Sequence, residues 1–148
     1  MQQISPKQRY EEDLSKAGFQ PDLAQAHAVS KLQELYDRLV EREIGQLSAT
    51  ARLRRIFSET KKPEQGLYFW GGVGRGKTYL VDVFFESLPF EAKLRVHFHR
   101  FMQRVHQELT ALAGEKNPLE KVAEGIAAEA RVICFDEFFV SDIADAMI

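Results

Sequence analysis

The 148-residue sequence holds a single cysteine, no apolar run long enough to cross a bilayer, and no marked excess of charge of either sign. A lone thiol cannot close an intrachain disulfide, which excludes a small secreted scaffold held by cross-links. Cys134 stands in a run of β-prone residues, where it reads as core filling rather than as a redox or metal residue. The opening Met1-Gln2-Gln3-Ile4-Ser5 lacks the basic and apolar segments of a secretory signal. These absences lead to the expectation of a soluble protein in a reducing cytoplasm. The formal net charge of −2 is far from the strongly basic balance of a nucleic-acid binder. Internal repeats and low-complexity tracts are also missing.

What is present is a globular balance, 45% hydrophobic and 28% charged, in a chain long enough to bury a sizeable core. Charge is spread unevenly: residues 1–62 carry 11 basic and 9 acidic side chains, whereas residues 63–148 carry 9 and 13. The densest basic stretch is Arg52, Arg54, Arg55, Lys61 and Lys62. It reads as a solvated connector, with a weak contact to acidic lipid or an acidic partner as the alternative reading.

The chemistry begins at Gly71-Gly72-Val73-Gly74-Arg75-Gly76-Lys77-Thr78, a complete G-x-x-x-x-G-K-[ST] pattern. At average composition the pattern arises by chance in roughly one chain of this length in a few hundred, and its flanks argue further against chance. Leu67-Tyr68-Phe69-Trp70 before it suits a buried strand, and Tyr79-Leu80-Val81-Asp82-Val83-Phe84-Phe85 after it continues as a helix. Strand, glycine loop and helix form the setting that a phosphate-binding loop needs. Gly71, Gly74 and Gly76 allow left-handed backbone and close approach to a ligand. The N–H groups of the loop then converge on phosphates, helped by the positive end of the helix. Lys77 is expected to reach the β- and γ-phosphates, and the Thr78 hydroxyl to ligate Mg²⁺. A glycine-rich turn alone would explain the glycines but not Lys77-Thr78 behind them.

A second constellation follows about sixty residues beyond Lys77: Arg131-Val132-Ile133-Cys134-Phe135-Asp136-Glu137, an apolar run ending in two acids. In phosphate-loop enzymes the first such acid holds Mg²⁺ through water, the role expected of Asp136. Glu137 is then placed to polarise an attacking water as general base. The pair favours hydrolysis over transfer to a small acceptor. Taken alone, the run would read as a strand with polar residues at its end.

Organisation along the chain predicts a helical N-terminal region and linker over 1–62 and an α/β core over 63–148. Ser5-Pro6 opens a short helix running towards Ala17, with Gly18 behind it. Pro21-Asp22 opens a longer one with Val29, Leu32, Tyr36, Leu39 and Val40 as its apolar stripe. Residues 45–63 read as a partly helical linker. In the core, 67–70 is the first strand, 78–87 a helix stopped before Pro89, and 94–98 the second strand. Phe101, Met102, Val105, Leu109 and Leu112 mark a helix ending at Gly114. Asn117-Pro118 opens another, with Leu119, Val122, Ala123, Ile126 and Ala127 facing inward, before a strand over 131–136. Alternating strands and helices imply a parallel sheet between helical layers, the three-layer α/β/α form of a P-loop NTPase.

Three segments carry a family resemblance. They are residues 66–78, then Val96-His97-Phe98-His99-Arg100-Phe101-Met102, then Cys134-Phe135-Asp136-Glu137-Phe138-Phe139-Val140-Ser141-Asp142-Ile143. In these the chain resembles the ZapE-type (AFG-like) ATPases of the AAA+ superfamily, and the likeness extends across nearly the whole chain. It implies ATP and Mg²⁺ as ligands, hydrolysis coupled to remodelling of a protein partner, and assembly into a homo-oligomeric ring. In bacterial members the resemblance implies the tubulin-like division ring as partner, with recruitment from the cytoplasm to the division site. Mitochondrial members are linked to protein quality control. Family members continue past the position of Ile148 with two more strands flanking the first, a sensor residue, an arginine finger and a lid. The expected core is therefore an incomplete AAA+ core. Arginine fingers contribute about 10³–10⁵ in rate, so the chain is expected to bind ATP better than it hydrolyses it.

The histidines read differently from the acids. His97, His99 and His106 lack a further ligand at zinc spacing, so packing and hydrogen bonding near the phosphate site are expected of them. His27 reads as surface. Asp22 and Gln25 are expected to approach the adenine. Three functions stay open from sequence: a protein-remodelling ATPase, a nucleotide-dependent binding module with weak turnover, and a nucleic-acid loader. Near-neutral charge counts against the last.

Overall fold

The computed structural model describes residues 4–16, 18, 22–47, 63–72, 74–140 and 142–148. Six helices and two strands are found among the described residues, in two compact units, Met1–Pro89 and Phe90–Ile148. The expected domain boundary at 62/63 lies at the edge of 48–62, outside the described residues. So do most of the expected linker and its basic cluster.

In the first unit, α1 (Pro6–Leu14) starts where the sequence places it. The Ser5 Oγ accepts from the Gln8 N–H at 3.4 Å and the Ser5 N–H donates to Gln8 Oε1 at 2.9 Å, a reciprocal cap with proline at the first helical position. The helix stops at Leu14, short of Ala17, because the Ser15 hydroxyl turns back to the Glu12 carbonyl at 2.6 Å. Helix α2 (Leu23–Leu47) opens at Asp22, whose Oδ1 accepts from the Ala24 N–H at 2.7 Å. Its stripe is buried at Val29, Leu32, Leu35 and Tyr36 and half-buried at Leu39 and Val40. Helix α3 (Lys77–Ser87) buries Leu80, Val83 and Phe84. The three helices pack on one another. Tyr10, the Tyr79–Asp13 hydrogen bond at 2.7 Å and the Arg9–Glu86 ion pair sit at their junctions.

Residues 67–70 do not form the expected strand: they carry no ladder, and Leu67, Tyr68 and Trp70 are exposed, Trp70 at 84%. The reason is physical. A strand exists only when a neighbour takes up its N–H and C=O groups, and the sheet among the described residues contains only the two strands of the second unit.

In the second unit, β1 (Lys93–His97) and β2 (Val132–Asp136) pair in parallel, from Lys93 opposite Val132 to His97 opposite Asp136. Phe98, expected at the end of β1, instead begins α4 (Phe98–Ala111). Helix α5 (Pro118–Glu129) follows Asn117, which adopts φ +53 and spends its amide on Glu120 Oε2 at 2.8 Å rather than on a backbone cap. Val105, Val122 and Ile126 form a core on which Phe101, Leu109, Leu112 and Ile133 pack. Leu119, Ala123 and Ala127 are exposed rather than inward-facing, because the neighbours present cover only the Val122–Ile126 edge of the helix. Cys134 is buried in β2, as expected, and is in no disulfide. Helix α6 (Ile143–Ala146) is short, and its cap is Asp142, whose side chain accepts from the Ala144 N–H. No helix among the described residues is long and apolar enough to cross a membrane. Mixed helices with a small parallel sheet are consistent with an incomplete P-loop NTPase.

Candidate functional site

The glycine loop lies in the first unit, directly before α3. Gly74 and Gly76 take φ +81 and +73, left-handed values that suit glycine. Gly76 is also the N-cap of α3, and no side chain caps that first turn. A helix start without a side-chain acceptor is the setting in which a phosphate can take the N–H groups. Lys77 folds over the loop, its Nζ donating to the carbonyls of Gly71 and Gly72 at 2.9 and 2.7 Å. Val73 lies outside the described residues.

Asp22 and Gln25, at the start of α2, meet this loop at Arg75. The Gln25 amide donates to the Arg75 carbonyl at 3.2 Å, and the Arg75 guanidinium lies 3.8 Å from Asp22. A Cβ built on Gly76 would stand 2.7 Å from Gln25 Nε2. Gln25 Oε1 is buried with no hydrogen-bond partner. A left-handed glycine cradle against the Gln25 amide, with an ammonium over its rim, fits the phosphates of a nucleotide.

The acid pair belongs to the second unit. Asp136 ends β2, and its Oδ2 accepts from Arg95 Nη2 at 2.7 Å, both side chains being mostly buried. The guanidinium balances a carboxylate that burial would otherwise penalise. Glu137 follows, exposed, at φ +51. The sequence did not point to Arg95, because its partner lies 41 residues away and only the parallel register brings them together.

His97 is exposed at the end of β1, with its ring 5.9 Å from that of His99. His106 Nε2 lies 2.7 Å from Asp145 Oδ1, a pair also missed from sequence. These two line a hollow of about 370 Å³ together with His99, Met102 and Asp142. Among the described residues no group of three or more His, Cys, Asp or Glu side chains is arranged to hold a metal. His27 is exposed.

A family model for AFG1-like ATPases matches residues 4–148. The chain is 50% identical over 155 residues to the cell division protein ZapE of Escherichia coli, an alignment covering 100% of this chain and 41% of that protein. It is 32% identical over 174 residues to an uncharacterised protein of Schizosaccharomyces pombe, covering 97% of this chain and 38% of the relative. Lactation elevated protein 1 homolog B of Danio rerio is 43% identical over 102 residues, covering 62% and 20%. The chain thus spans about two fifths of the length of its bacterial relative. No solved structure matches it. A family match over almost every residue, with half of all positions shared with ZapE, places this chain in the AFG1-like ATPase family.

Proposed function

We propose that this chain is the nucleotide-binding part of an ATPase that couples hydrolysis of Mg-ATP to remodelling of a protein partner. The observation that carries the reading is Lys77, folded at 2.9 and 2.7 Å over the carbonyls of Gly71 and Gly72, behind a left-handed Gly76. Phosphate oxygens are stronger acceptors for an ammonium than the carbonyls it now holds. Residues 71–78 provide the cradle, with backbone N–H groups and Lys77 taking the phosphate charge. Thr78 and Asp136 are the residues that would hold Mg²⁺, which when bound neutralises charge on the phosphates. Glu137 accepts the proton of the attacking water at its carboxylate. Arg95, donating to Asp136 Oδ2 at 2.7 Å, orients that carboxylate.

The finer parts of the proposal rest on the family and on what ZapE's name says of it, a cell division protein. They are a three-layer α/β/α core, a homo-oligomeric ring, a partner in the tubulin-like division ring, and a cytoplasmic protein recruited to the division site. A second reading, a binding module with weak turnover, is favoured by the unladdered segment 67–70 that leads into the loop. Both are tested with Glu137→Gln in single-turnover hydrolysis and in ATP binding. The proposal expects unchanged binding and a rate lower by about 10²–10⁴. Equal hydrolysis by variant and parent would remove Glu137 as the base, and ATP binding with no hydrolysis in either would select the binding module.

A further inference from the structure

We propose that Phe138 is a positioning residue: its ring, seated on Phe98 and Phe135, fixes the backbone of Glu137 and so aims the carboxylate. The inference rests on the reading of Glu137 as the base. Glu137 stands at φ +51, a left-handed conformation in which the Cβ crowds the following carbonyl oxygen. The other non-glycine at positive φ among the described residues is Asn117, a type whose short amide tolerates it. A glutamate has no such local help, so its neighbours must hold it there.

They are placed to do so on both sides. Behind it, Asp136 is paired in the sheet with His97 and bonded to Arg95 at 2.7 Å. Ahead of it, the Phe138 ring centroid lies 4.3 Å from that of Phe98 and 5.9 Å from that of Phe135. The surface under Phe138 is itself fixed: Phe98 is 6% exposed and meets Phe135 edge-on at 5.6 Å, and Phe135 meets Phe101 at 4.9 Å. Phe138 remains 49% exposed, so its ring adds less to the core than to the chain segment it anchors. Phe139, 75% exposed, is the natural control.

The test compares Phe138→Ala, Phe138→Leu and Phe139→Ala, each alone and with Glu137→Gln, by ATP binding, single-turnover hydrolysis and amide hydrogen exchange over 136–139. Phe138→Ala is expected to keep ATP affinity within about twofold and to slow hydrolysis about 10- to 100-fold. Exchange at Glu137 should rise, Phe138→Leu should recover part of both losses, and Phe139→Ala should match the parent. The rate penalty should vanish once Glu137 is already glutamine. Unchanged exchange in Phe138→Ala would overturn the proposal, as would a penalty that persists in full beside Glu137→Gln. If Glu137→Gln itself hydrolyses like the parent, the base reading falls and the aiming role with it. The exchange data would then still show whether Phe138 holds that backbone, so the two failures stay distinct.

Discussion

Gly76 is where the loop and the start of α2 constrain each other most tightly. Its left-handed backbone disfavours other side chains, and a methyl group there would have to displace the Gln25 amide, 2.7 Å from the Cβ position. Gly76→Ala therefore has two separate consequences: strain of roughly 1–2 kcal/mol, and displacement of the amide that donates to the Arg75 carbonyl. We expect ATP affinity to fall by about tenfold or more. Adding Gln25→Ala should restore only part of it, since the steric conflict is relieved while the backbone strain stays. Calorimetric titration of both variants checks this; unaltered affinity in Gly76→Ala would show that the loop does not bind in this conformation.

Among the elements, α1 and α3 are tied by a hydrogen bond whose strength depends on acid. Hydrogen bonds from Lys16 and Tyr79 hold the Asp13 carboxyl below its ordinary value of 3.8. Burial, then the bond to Asp13, pushes the Tyr79 hydroxyl well above its usual range. A carboxyl depressed on folding stabilises the fold above its ordinary value, and that stability is lost as pH falls through the lower folded value. Thermal unfolding from about pH 7 to about pH 3 should therefore show a shallower acid limb for Asp13→Asn than for the parent. Tyr79→Phe should cost about 1 kcal/mol at neutral pH. Coincident acid limbs would mean that Asp13 contributes nothing through its charge.

The elements also mark how far the sequence could be read. Local signals were legible: the Ser5-Pro6 cap, the α2 stripe and the glycine loop each depend on residues a few positions apart. Segment 67–70 has the composition of a strand, but a strand is a relation between chains of backbone groups, and the segment joins no sheet among the described residues. Leu119, Ala123 and Ala127 have helical spacing, yet spacing does not reveal how wide the covering surface is. Arg95–Asp136 and His106–Asp145 link positions 41 and 39 residues apart. Such pairs follow from strand register and helix placement, which no local window contains.

At the scale of the whole molecule, apolar side chains gather at two exposed places. One precedes the loop at Leu67, Tyr68 and Trp70; the other follows the acid pair at Phe138, Phe139, Ile143 and Met147. The chain matches 41% of ZapE, and the whole 71–78 loop pattern on which nucleotide binding draws lies within it. Binding is therefore the claim that this chain can answer by itself. The direct measurement is a calorimetric titration of Mg-ATP into the chain and into its Lys77→Ala variant. Saturable binding by the parent is expected, with an affinity lower by about 10- to 100-fold without the ammonium. Equal affinity in the two, or no binding by the parent, would contradict it.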